Sequence, residues 1–80
     1  MSQSSFEVVA SVISDYIRDH QLPEAEIKRD SRVLGELPLD SLALAVIVVE
    51  LEERTGKDPF KGGFIRFNTV GELAALYDNA

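Results

Sequence analysis

The sequence predicts an all-α fold: a small helical bundle of three main helices plus one short helix or turn. Three observations lead there. Apolar residues recur with helical period in three stretches. Each stretch opens on residues that cap helices. The one unbroken apolar run, residues 42–49, would also fit a strand by periodicity alone. It follows a cap, continues as Glu50-Leu51-Glu52-Glu53-Arg54 and stops at Gly56, which is the pattern of a helix. Eighty residues make one domain, 1–80, with a core at the small end of what folds alone.

The elements follow in order. Residues 1–5 are a polar lead-in, and Ser4 and Glu7 have capping-box spacing for a first helix over about residues 5–19. Phe6, Val9, Ile13, Tyr16 and Ile17 recur with helical period, and Val12 widens the stripe. Asp15, Arg18 and Asp19 fall mainly on the other face. His20 stands near the negative end of the helix dipole, where a solvated side chain is expected. A catalytic role for it would need an oriented partner.

Residues 21–39 form a long connection, punctuated by Pro23, Gly35 and Pro38. Leu22, Ile27, Val33, Leu34 and Leu37 are too many apolar anchors for a disordered linker. The connection is expected to cross the bundle with Ile27 and Leu34 pinned into the core. A short turn of helix is expected near residues 32–35.

The second helix is expected over about residues 41–54. Asp40 or Ser41 can accept a hydrogen bond from a backbone N–H one turn on. Leu44, Ile47, Val48, Leu51 and Thr55 make one face at helical spacing, which suffices for a core. Leu42, Ala45, Val46 and Val49 are left on or beside another face. A helix apolar nearly all round is either fully buried or binds something with the extra face. Full burial is hard in so small a domain. A short element is expected near residues 58–66: Asp58-Pro59 has the form of a helix start, and Gly62-Gly63 breaks it. Phe60, Phe64, Ile65 and Phe67 supply buried anchors there. Gly62-Gly63 is no phosphate loop, because the loop spacing and its Lys-Ser/Thr ending are absent. Thr69-Val70-Gly71-Glu72 is a capping box for a last helix over about residues 69–77. The expected core is Ile13, Leu44, Ile47, Leu51, Phe67 and Leu73.

Composition excludes several function classes. There is no cysteine, hence no disulfide and no thiolate metal site, and one histidine leaves the multi-histidine zinc sites without ligands. No metal site and no catalytic set of nucleophile, base and orienter is expected. Fourteen acids against eight bases give a net charge of −6. That disfavours a nucleic-acid partner and suits a basic protein surface. No stretch spans a membrane and residues 1–20 lack a signal-peptide apolar segment, so a cytoplasmic monomer is expected.

Three blocks resemble the acyl carrier protein family, the stand-alone type of phosphopantetheine-binding carrier. The run Asp30-Ser31-Arg32-Val33-Leu34-Gly35-Glu36-Leu37-Pro38-Leu39-Asp40-Ser41-Leu42 is similar to the family's loop and attachment site. Leu51-Glu52-Glu53-Arg54-Thr55-Gly56 resembles the end of its second helix, and Thr69-Val70-Gly71-Glu72-Leu73 the start of its last. The order and intervals also fit, over roughly residues 5 to 77. The resemblance implies that Ser41 carries covalent 4′-phosphopantetheine, moved from coenzyme A by a phosphopantetheinyl transferase that uses a divalent metal. The terminal thiol would hold an acyl or aminoacyl group as a thioester. The chain would then be no enzyme but the substrate of others: the transferase, a loading ligase, and a downstream transferase or synthase. Asp40 is expected to cap the helix, to assist recognition, or both.

Two departures from the family pattern set this chain apart. Pro38 stands where many members have glycine, and it stiffens the approach to Ser41. Ala43 and Val46 stand where fatty-acid carriers commonly have acidic residues on the partner-facing helix. Residues 33–53 still contain five acids (Glu36, Asp40, Glu50, Glu52, Glu53) and no base, while Arg54, Lys57, Lys61 and Arg66 against Asp58 reverse the sign over residues 54–66. The partner face is expected at Leu42, Ala45, Val46 and Val49, with Glu52 and Glu53 at its far end. The departures point to a specialised biosynthetic pathway. The alternative reading is an unmodified helical interaction module that uses the apolar second helix.

Overall fold

The structure, a computed structural model, describes residues 4–79. It is all-α: three helices, α1 (Ser5–Asp19), α2 (Ser41–Thr55) and α3 (Val70–Asp78), are joined by one long and one shorter irregular segment. The outermost residues of the polar lead-in and Ala80 lie outside the described residues.

Each helix starts on a side chain that accepts one of its unpaired backbone N–H groups. Ser4 accepts from the Glu7 N–H at 3.3 Å. Asp40 accepts from the Ala43 N–H at 2.8 Å. Thr69 accepts from the Glu72 N–H, and the Glu72 carboxylate accepts from the Thr69 and Asn68 N–H groups, a complete capping box. Those two backbone donors hold the Glu72 carboxyl below its ordinary range. His20 closes α1, exposed, with its ring stacked on Tyr16 at 3.9 Å. Gly56 closes α2.

Helix α1 packs on both α2 and α3. Val9, Val12, Ile13 and Ile17 from α1 meet Ala43, Ile47 and Leu51 from α2 and Val70, Leu73, Ala74 and Tyr77 from α3. The buried stripe of α2 therefore runs at every fourth residue from Ala43. This turns Ala43 into the core. Leu44, Val48 and Phe67 are half-buried. An apolar helix need bury only the stripe that meets its neighbour. At its far end Arg54 pairs with Asp15 of α1 at 3.2 Å and with Glu50 at 3.0 Å.

Three further expectations are corrected. Leu34 is 47 % exposed rather than pinned in the core. Its neighbours Val33, Leu37 and Leu39 take the buried places. Residues 33–36 form a turn and not a turn of helix, with the Leu37 N–H donating to the Arg32 carbonyl at 3.3 Å. Asp58-Pro59 starts no helix: the carbonyls of Asp58 and Phe60 each close a four-residue turn, accepting from the Lys61 and Gly63 N–H groups, and Gly62-Gly63 then carries the chain outward. Phe64 and Ile65 are consequently exposed, at 76 % and 44 %. Phe60 and Phe67 stay half-buried, and so does Ile27.

The long connection is tied to the start of α3 by backbone bonds. The Val33 N–H donates to the Asn68 carbonyl, the Val70 N–H to Ser31 and the Gly71 N–H to Arg29, all at 2.8–2.9 Å. This places Leu34 beside Phe67 and builds one side of the site from two segments far apart in sequence.

Candidate functional site

The site is the start of α2. Leu37 and Leu39 are buried on either side of Pro38, and the Leu39 N–H donates to the Leu37 carbonyl at 2.7 Å. This is a three-residue turn, and proline at its centre supplies the φ such a turn needs. The two leucines anchor the approach while the ring sets its direction. Asp40 then leaves the core and caps the helix, so Ser41 is its first residue.

The Ser41 side chain is exposed and makes no hydrogen bond among the described residues. Two of the other serines are committed. Ser31 is buried, with its hydroxyl accepting from the Lys28 N–H at 2.9 Å and facing the Glu26 carbonyl. Ser4 caps α1. A phosphodiester at Ser41 would sit at the positive end of α2, where backbone N–H groups point at anions. The residues present therefore fit a phosphate-linked group. Among the described residues no group of three or more histidines or carboxylates is placed to hold a metal ion.

Beside Ser41 lies an apolar cleft of about 490 Å³. Leu44 and Val48 of α2 form its floor, Leu34 one wall, and Phe60, Phe64 and Phe67 the other. Sequence reasoning placed Leu44, Val48 and the phenylalanines in the core and missed the cleft. The available signal was a surplus of large apolar residues around Gly62-Gly63. On α2 itself Leu42, Val46 and Val49 are 73 %, 49 % and 57 % exposed, and Ala45 is exposed beside them. Glu52 and Glu53 are exposed at the far end. Glu50 is instead engaged with Arg54, and Glu36 accepts from the Arg32 N–H at 3.2 Å.

A small helical bundle that offers a free hydroxyl at a helix start, beside an apolar cleft, is a carrier-type domain. The chain belongs to the family described as "Phosphopantetheine attachment site", which it matches over residues 7–77. It is similar to acyl carrier protein MbtL of Mycobacterium sp. (strain MCS), at 32 % identity over 94 % of this chain and 85 % of that one. MbtL of Mycobacterium tuberculosis and of Mycobacterium bovis are each 32 % identical, over 94 % of this chain and 89 % of theirs. No solved structure matches the chain significantly. The protein is a carrier, its cofactor is covalently attached 4′-phosphopantetheine, and it works with biosynthetic enzymes. No helix among the described residues is long and apolar enough to cross a membrane.

Proposed function

We propose that Ser41 is the attachment residue and that the cargo is acyl. The observation that carries this reading is the free, exposed Ser41 hydroxyl on the rim of the apolar cleft. When bound, the prosthetic group supplies a terminal thiol that holds the cargo as a thioester. The chain's own residues position and present that group. Asp40 and the Leu37-Pro38-Leu39 turn fix the hydroxyl at the helix start. The N-terminal dipole of α2 favours the phosphodiester charge. The cleft offers apolar surface to an acyl tail, which favours acyl over aminoacyl cargo. The acyl carriers of the mycobacterial relatives accord with that choice.

The chain is a single carrier domain over residues 1–80 that makes no bonds itself and acts in the cytoplasm as a monomer. A phosphopantetheinyl transferase modifies it, a ligase loads it, and a transferase or synthase takes the cargo. Leu42, Ala45, Val46 and Val49 form the strip on which such partners dock. Burial of the strip supplies most of the affinity, at about 25 cal/mol per Å² before association costs. Glu52 and Glu53 at one end and Asp40 at the other orient a basic partner. The test is intact mass after incubation with coenzyme A, magnesium and a promiscuous transferase. Wild type is expected to gain one phosphopantetheine and Ser41→Ala none. A gain by Ser41→Ala would refute the assignment.

A further inference from the structure

The exposed large apolar side chains fall into two groups with opposite charge around them. Leu42, Val46 and Val49 lie on α2, between Asp40 and the pair Glu52 and Glu53. Phe64 and Ile65 lie on the segment after α2, between Lys61 and Arg66, and all six residues from 61 to 66 are exposed. Leu34 joins this second group, since it lines one cavity of about 320 Å³ together with Phe64 and Arg32. Residues 54–66 hold four bases and one acid, a net +3 in a chain of −6.

The bases of the loop are available to a partner. Arg54 is engaged with Asp15 and Glu50, but Arg32, Lys61 and Arg66 make no ion pair among the described residues. The single acid, Asp58, has its carboxylate on the Phe60 N–H at 3.2 Å. Gly63, at φ +132°, turns the chain in a conformation that suits glycine. Phe64 rests on Phe60 at 5.7 Å with the ring planes 14° apart, and most of its surface stays open to solvent. Exposed apolar residues scattered singly are ordinary. An adjacent Phe-Ile pair at a glycine turn, with a base on either side, marks a contact surface.

We propose that the loop over residues 61–66 docks the protein on an anionic membrane surface, with Phe64 and Ile65 entering the interface and Lys61 and Arg66 on the headgroups. Aromatic side chains favour the boundary between bilayer and water, and anionic lipids attract bases held beside it. Size decides between a bilayer and an acidic protein. A stable protein interface takes about 800 Å² from each partner, far more than this loop offers. A fluid surface accepts a small apolar pair without matching its shape. The acids of residues 33–53 are repelled by the same headgroups, which turns the α2 strip away from the lipid and leaves it open to protein partners. Phe64 and Ser41 line one cleft, so docking holds Ser41 near the bilayer. Transfer of cargo at that surface rests on the reading that Ser41 holds an acyl group; docking itself does not.

The test is vesicle flotation of the full chain without its prosthetic group, at low salt. One set of vesicles is phosphatidylcholine, and the other is phosphatidylcholine and phosphatidylglycerol in equal parts. The bound fraction is expected to be several-fold higher on the mixed vesicles and to fall as salt is added. Phe64→Ser combined with Ile65→Ser should remove binding, and Lys61→Gln combined with Arg66→Gln should remove the preference for the mixed vesicles. The chain has no tryptophan, so Phe64→Trp supplies a single reporter, whose emission should shift to the blue on mixed vesicles only. Ser41→Ala should float like wild type, which keeps this result separate from the attachment reading. Absence of flotation, no emission shift, or undiminished binding by the Phe64→Ser and Ile65→Ser chain would overturn the proposal. So would a chain that binds no vesicle but is loaded more slowly by the natural ligase when Lys61→Gln and Arg66→Gln are introduced, since the loop would then serve an acidic protein.

Discussion

Asp40 caps α2 and the adjacent Ser41 is the proposed attachment residue, and two substitutions separate the two roles. The Asp40 carboxylate accepts the Ala43 N–H at 2.8 Å, and Asp40→Ala leaves that donor without its partner at the start of a helix with buried Ala43. Loss of such a cap costs about 1 kcal/mol, within a range of about 0.5–2. A chain of eighty residues is stable by about 4–12 kcal/mol, so the loss is a measurable fraction of the total. It lowers the melting temperature by about 4–8 °C per kcal/mol in a domain of this size. Ser41→Ala removes an exposed hydroxyl that bonds to nothing described, and is expected to change stability by less than about 0.5 kcal/mol. Asparagine caps as well as aspartate, so Asp40→Asn should keep the stability and discard the charge. Urea denaturation followed by far-UV circular dichroism reads all three, with the slope against urea unchanged. Modification rates then report recognition: if the Asp40 charge guides the transferase, Asp40→Asn is modified slowly although it is stable. Equal losses from Asp40→Ala and Ser41→Ala would refute the division of labour, as would Asp40→Asn that is as unstable as Asp40→Ala.

Three further perturbations probe the core, the buried phenol and the exposed strip. Leu51 is fully buried, and Leu51→Ala should cost about 2–5 kcal/mol in the same urea assay; an unchanged midpoint would show that the stripe of α2 is misassigned. The Tyr77 hydroxyl is buried with no partner among the described residues, and burial, then the charges of Asp58 and Glu52, push it up to about 12. Because the raised value favours the neutral phenol in the fold, its contribution is complete below about pH 10 and is lost as pH rises toward about 12. Tyr77→Phe should therefore remove that alkaline loss and leave neutral-pH stability intact or raised, and a loss above about 1 kcal/mol at pH 7 would mean that the hydroxyl has a partner. Val46 is 49 % exposed, and Val46→Glu should slow loading by the natural ligase without affecting folding or Ser41 modification; loading as fast as wild type, measured against salt, would remove the strip as a docking surface.

Local signals carried far in this sequence, and long-range ones did not. Ser4, Asp40 and Thr69 cap the helices because each supplies an acceptor at the needed spacing, and that spacing is visible in the chain. Choosing between Asp40 and Ser41 as the cap required coordinates, since both residue types serve and they are adjacent. Leu34, Phe64 and Ile65 were misplaced. Hydrophobicity says that a residue gains by burial, but not whether its segment reaches the core. Gly62-Gly63 turns Phe64 and Ile65 outward, and Val33 takes the place that Leu34 was given. The cleft lay beyond sequence reasoning because its walls come from residue 34, residues 44–48 and residues 60–67. Backbone bonds from Val33 to Asn68 and from Val70 to Ser31 bring those segments together.

The central claim is that one particular hydroxyl carries the prosthetic group. Tandem mass spectrometry of the protein isolated from the cells that make it tests this most directly. The account predicts that fragments of the peptide containing Ser41 bear a single phosphopantetheine and that peptides containing Ser4, Ser14 and Ser31 bear none. Phosphopantetheine on any other serine, with Ser41 unmodified, would contradict it.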